Sequence, residues 1–142
     1  MTPTSYDEIY ERFLSKIEDY SLLKEISTDI DYAKSLMLDY LKAAIPKFDY
    51  IDRERLRRDD VTQTFSVELT DKEQEILSTF MVVSYLSPKI LRDEALEQRL
   101  GSKDYTTYSP AKLIEQIRAL RVDFENEANN LMTMYYYTKD LD

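Results

Sequence analysis

Leu113, Ile117, Leu120, Phe124, Ala128, Leu131 and Tyr135 follow one another in steps of three and four. That spacing returns to one side of an α-helix on every turn, so the last third of the chain is predicted to be one long helix. Ser109-Pro110 marks its start, with serine as N-cap and proline at the first helical position. From there it could run about 28 residues, roughly 40 Å at 1.5 Å per residue. A domain of this size needs less, so the end, 135–142, is expected to project as a tail and meet a partner.

The same spacing recurs upstream. Ser5 and Glu8 read as a capping box before the apolar face Tyr6, Ile9, Tyr10, Phe13, Leu14 and Ile17. A short helical stretch is expected around Leu22, Leu23 and Ile26. Thr28 with Asp31 is expected to cap a second helix that carries the apolar face Ile30, Ala33, Leu36, Met37, Tyr40, Leu41, Ala44 and Ile45 and that Pro46 ends or kinks. Thr70-Asp71-Lys72-Glu73 is the clearest capping box. The helix it starts is apolar around most of its circumference through Phe80, Met81, Val82 and Val83, which predicts burial at the centre of the fold. Ser87-Pro88 is expected to end it after about 16 residues and to open another that carries Leu91, Leu96 and Leu100 and stops at Gly101. Residues 47–69 form an irregular connection. Within it, Phe65, Val67 and Leu69 alternate with polar residues, which reads as a short extended segment near 61–69 that must pair or lie on the helices. The expected fold is a mainly all-α single domain over 1–142, a bundle of about five helices with one long C-terminal helix. No internal repeat is evident.

Composition narrows function by exclusion. The chain has no histidine and no cysteine, so a Ser-His-Asp or Cys-His arrangement or a Cys-based zinc site cannot be built from it alone. Its single glycine, Gly101, permits neither a G-x-G-x-x-G fingerprint nor a P-loop. A net charge of −9 disfavours general nucleic-acid binding. No apolar run reaches the ~20 residues of a membrane span, and Met1–Tyr10 does not read as a secretory signal. No catalytic residue, metal or cofactor is therefore expected, and the chain is expected to be made, and to stay, in the cytoplasm or in a particle assembled there.

Three groups of residues stand out. Asp59-Asp60, with Glu68, could hold a hard cation, since such ions take oxygen ligands; the simpler reading is a loop acid pair that neutralises the neighbouring arginines. Arg53, Arg55, Arg57 and Arg58 could grip nucleic acid or an acidic protein surface through bidentate contacts, the net charge favouring the protein, with Phe65 and Val67 beside them at a subunit interface; the simpler reading is a solvated turn with ion pairs to Glu54 and Asp59. Tyr135, Tyr136 and Tyr137 cannot all face one core, because successive helical residues sit about 100° apart. At least one of them is expected at the surface, in an interface with another protein.

The blocks SYDEIYERFLSKIEDYSLL, RDDVTQTFSVELTDKEQEILSTFMVVSYLSP and KDYTTYSPAKLIEQIRAL together resemble small virion proteins of tailed bacteriophages, mainly of Gram-positive hosts. The helix order and size are similar to those of the head–tail adaptors, also called connector or head-completion proteins. The resemblance implies a helical subunit that forms a homo-oligomeric ring in the virion neck, contacts the portal or an adjacent neck protein, and lets DNA pass nearby without sequence-specific binding. It also implies that the four arginines meet a neighbouring subunit and that the C-terminal helix meets the portal. The competing reading is a small acidic phage protein that binds and inhibits a host protein.

Overall fold

Helices begin where side chains can satisfy their first free N–H groups. In a computed structural model, which describes residues 2–17, 29–100 and 110–139, Ser5 starts helix α1 (Tyr6–Lys16). Its Oγ accepts the Asp7 N–H at 3.2 Å, while Glu8 Oε2 accepts the Ser5 N–H at 3.0 Å. Helix α2 (Ile30–Ala44) is capped by Asp29, whose Oδ1 accepts the Tyr32 N–H at 3.0 Å. The expected cap thus moves by one residue, and Thr28 lies outside the described residues. The helical stretch expected around Leu22, Leu23 and Ile26 lies outside them too. Pro46 ends α2 as expected, in a 3-10 turn over Ile45–Lys47.

Helix α3 (Asp71–Leu100) opens at the Thr70–Glu73 capping box. Thr70 Oγ1 accepts the Glu73 N–H at 3.2 Å, and Glu73 Oε1 accepts the Thr70 N–H at 2.8 Å. It then continues through Pro88, which corrects the expected break. Ser87 does not act as an N-cap. Its Oγ donates back to the Val83 carbonyl at 3.1 Å and accepts Arg121 Nε at 2.8 Å. Pro88 has no N–H for the carbonyl one turn earlier, so the helix runs on with one hydrogen bond fewer. The described residues therefore hold four α-helices where about five were expected. Gly101, Tyr105, Tyr108 and Ser109 lie outside them.

Helix α4 (Pro110–Thr138) runs antiparallel to α3. Ser87 meets Arg121, Glu73 meets Tyr135, and Lys72 meets Thr138. Ile114, Ala128, Met132 and Tyr135 are buried along this seam, with Ile117, Phe124 and Leu131 half-buried. α1, α2 and α4 all pack on α3, which accounts for the unbroken burial of Ile76 through Val83. Phe13, Tyr40 and Tyr85 join the three helices of one side, with ring centroids 5.7–5.8 Å apart.

The connection between α2 and α3 carries a 3-10 turn over Arg53–Leu56 and a hairpin of β1 (Arg58–Asp59) and β2 (Thr64–Phe65), with Arg58 opposite Phe65. The chain's start pairs on the other side of β2: the Phe65 N–H reaches the Thr4 carbonyl at 2.8 Å, and the Thr4 N–H reaches that of Val67 at 3.1 Å. The extended segment thus finds partners on both edges. Its alternation is real, with Phe65 and Leu69 buried, Val67 half-buried, and Ser66 and Glu68 exposed.

Candidate functional site

The most densely bonded polar group joins three parts of the chain. Glu73, in the first turn of α3, is 1 % exposed. Arg55 Nε donates to Glu73 Oε2 and an Arg55 terminal nitrogen to Oε1, both at 2.7 Å, a bidentate fork from the 3-10 turn. The Thr70 N–H adds a bond to Oε1 at 2.8 Å, and the Tyr135 hydroxyl one to Oε2 at 2.8 Å from the end of α4. Burial pushes the Glu73 carboxyl up, but Arg55, the Thr70 N–H and Tyr135 outweigh it and hold the group below the ordinary value of 4.5. Burial and the bond to Glu73 push the Tyr135 hydroxyl well above 10.0. A cleft of about 580 Å³ opens beside this cluster, rimmed by Asp52, Asp71, Lys72 and Lys139. With four donors on its two oxygens and a depressed pKa, Glu73 has little capacity to accept a proton near neutral pH. It acts as a clamp.

The residues singled out from the sequence separate. Arg55 is taken up by Glu73 and by the Glu68 carbonyl at 3.0 Å, so its expected contact with a neighbour is replaced by one within the chain. Phe65, 1 % exposed, packs on Tyr6 with centroids 5.2 Å apart, and Val67 is packed against the core. Both therefore work inward rather than at the surface. The arginines left outside are Arg53, Arg57 and Arg58. Arg58 is tied to the Leu56 carbonyl at 2.9 Å, and Arg57 sits 3.7 Å from Glu54. They edge a groove of about 510 Å³ whose floor is apolar.

Asp59 and Asp60 do local work. Asp59 Oδ1 accepts the Val61 N–H at 2.8 Å and shapes the hairpin loop. Asp60 accepts the Tyr6 hydroxyl at 2.6 Å, which holds its carboxyl below the usual range, and Lys42 lies 3.7 Å away. Among the described residues no group of three or more His, Cys, Asp or Glu is placed to hold a metal ion. Nor, among them, is any helix long and apolar enough to cross a membrane.

The tyrosine run divides as its geometry requires. Tyr135 faces inward against Phe48 at 5.0 Å, while Tyr136 is 48 % and Tyr137 73 % exposed. The Tyr136 ring lies tilted against Tyr50 with centroids 4.7 Å apart, and Lys139 Nζ reaches the Tyr50 carbonyl at 3.1 Å. The helix end therefore lies on the body up to Lys139 instead of projecting from it; residues 140–142 lie outside the described residues. Sequence reasoning missed the Glu73 cluster, because Tyr135 alone lies 62 residues from Glu73. Compared with protein-family models, with curated protein sequences and with solved structures, the chain matches none of them.

Proposed function

We propose that this chain is a non-enzymatic structural subunit: a ring-forming head–tail connector, or adaptor, that joins portal to tail in the neck of a tailed-phage virion. The observation that carries the reading is the outward face of α4. Between residues 126 and 138 the sequence holds one charged residue, Glu127, in a chain that is 33 % charged. Met134, Tyr136 and Tyr137 are all exposed there. Water favours charged side chains on an exposed helix face, and protein contacts favour tyrosine and methionine with few charges. Copies that each carry a net charge of −9 repel one another. A face this poor in charge is where such copies, or a second neck protein, can meet. The absence of imidazole and thiol from the sequence, and the saturation of Glu73, agree with action through surface rather than chemistry.

The test is mass spectrometry of purified phage particles together with electron microscopy of a Tyr136→Asp/Tyr137→Asp variant. The expected result is the chain in mature virions and, in the variant, filled heads without tails. Absence from particles would remove the reading and leave the inhibitor of a host protein in its place.

A further inference from the structure

A second surface is built on a different principle. The groove beside β1 has an apolar floor of Ile45, Phe48 and Ile51 and a rim of Arg53, Arg57 and Arg58, with Asp49 as the carboxylate at its edge. Arg53 is exposed and makes no ion pair with a described residue; Arg57 is 73 % exposed and only loosely held by Glu54. Arg58 is oriented by the Leu56 carbonyl at 2.9 Å, with Asp60 near enough to feel its charge. Guanidinium groups around an apolar slot suit a segment that brings an apolar anchor flanked by carboxylates.

Such a segment exists on the same chain. Leu120, Asp123 and Glu127 stand at i, i+3 and i+7 on α4, so they form one stripe. Leu120 is 47 % exposed, both acids are exposed, and neither acid pairs with a described residue. The stripe and the groove make no ion pair within one molecule, so a meeting between them takes two copies. Phosphate would satisfy the arginines but not the apolar floor, and the net charge of −9 opposes a nucleic acid.

We propose that the arginine-rimmed groove of one copy receives the Leu120–Asp123–Glu127 stripe of a second copy. Leu120 enters the floor and the two carboxylates meet Arg53 and Arg57. This contact joins unlike faces, so it propagates from copy to copy and closes into a ring or runs on as a filament. It rests on the assembly reading and names the surfaces that would execute it.

Sedimentation velocity of the full chain tests it with two variants, Arg53→Glu/Arg57→Glu and Asp123→Lys/Glu127→Lys, both at exposed positions where the fold should survive, as circular dichroism would check. Wild type is expected to self-associate with rising concentration, each variant to associate at least about tenfold more weakly, and an equimolar mixture of the two to recover association through the swapped charges. Unchanged association in either variant overturns the inference, as does a mixture that stays apart. Wild type that remains monomeric overturns it as well, and detection of the chain in virions would then leave the structural role standing. Duplex DNA serves as the probe of the other source: DNA binding that the arginine variant loses, with self-association intact, reassigns the groove to phosphate and overturns the inference.

Discussion

Glu73 shows how a single residue can set stability in this chain. Its carboxylate ties the 3-10 turn at Arg55, the start of α3 at Thr70 and the end of α4 at Tyr135. Replacing it with Gln keeps the shape but aims an N–H₂ at donors and leaves Arg55 without its counter-charge. Removal of one partner from a buried pair costs ~3–5 kcal/mol; with Arg55 one-third exposed, Glu73→Gln should lose about 2–3 kcal/mol in urea unfolding. The pH dependence follows from the sign of the shift. A carboxyl held below 4.5 when folded adds stability above that pH and loses it as pH falls through the folded value. The variant's stability should therefore fall less steeply below about pH 4.5 than that of wild type, and parallel acid limbs would show that Glu73 is not the group responsible. Tyr10 presents the opposite case. It is 2 % exposed, and its hydroxyl has no hydrogen-bond partner among the described residues. Burying an unsatisfied hydroxyl costs about 1 kcal/mol or more, so Tyr10→Phe should raise stability by roughly that amount; a loss of stability would mean that the hydroxyl has a partner.

Among elements, what the sequence made legible was local. The boxes Ser5–Glu8 and Thr70–Glu73 are read over four residues and their bonds form over four residues, so both helix starts came out in place. Period-two alternation identified the extended segment around Phe65 for the same reason. The failures are cases where distant contacts decide. Ser87-Pro88 has the composition of a helix start, yet α3 runs through it, and Ser87 bonds to Val83 and Arg121 instead of capping a new helix. Likewise, the end of α4 lies on the body because Phe48 and Glu73 capture Tyr135; no periodicity announces a partner 62 residues away. A proline inside a helix lacks one hydrogen bond and crowds the preceding turn, at a cost of ~3 kcal/mol. If α3 is continuous, Pro88→Ala restores that bond and should stabilise the fold by about 1–3 kcal/mol. No gain, or a loss, in thermal or urea unfolding would mean that the proline begins a separate helix, as its local sequence suggests.

At the scale of the whole molecule, α3 is the hub, and ring clusters fasten the other elements to it or to one another. Tyr6 joins the start of the chain to the hairpin, Tyr10 lies inside α1, and Tyr135 joins α4 to α3. Burial is the leading cause in each case of a hydroxyl raised well above its ordinary 10.0, with acids nearby adding to it: Asp60 for Tyr6, Asp7 for Tyr10 and Glu73 for Tyr135. A phenol whose folded pKa is raised contributes stability in full below pH 10 and loses it as pH rises toward the folded value, because the unfolded chain then releases protons that the folded chain retains. Three such groups act together, and alkali also adds charge to a chain already at −9. The melting temperature should therefore hold a plateau between about pH 5 and pH 9 and fall above about pH 10. The phenolate absorbance of Tyr6, Tyr10 and Tyr135 should rise only as helical circular dichroism is lost. If these three phenols ionise while the helices persist, their rings are open to water, and α1, α4 and the hairpin do not close on α3 as described.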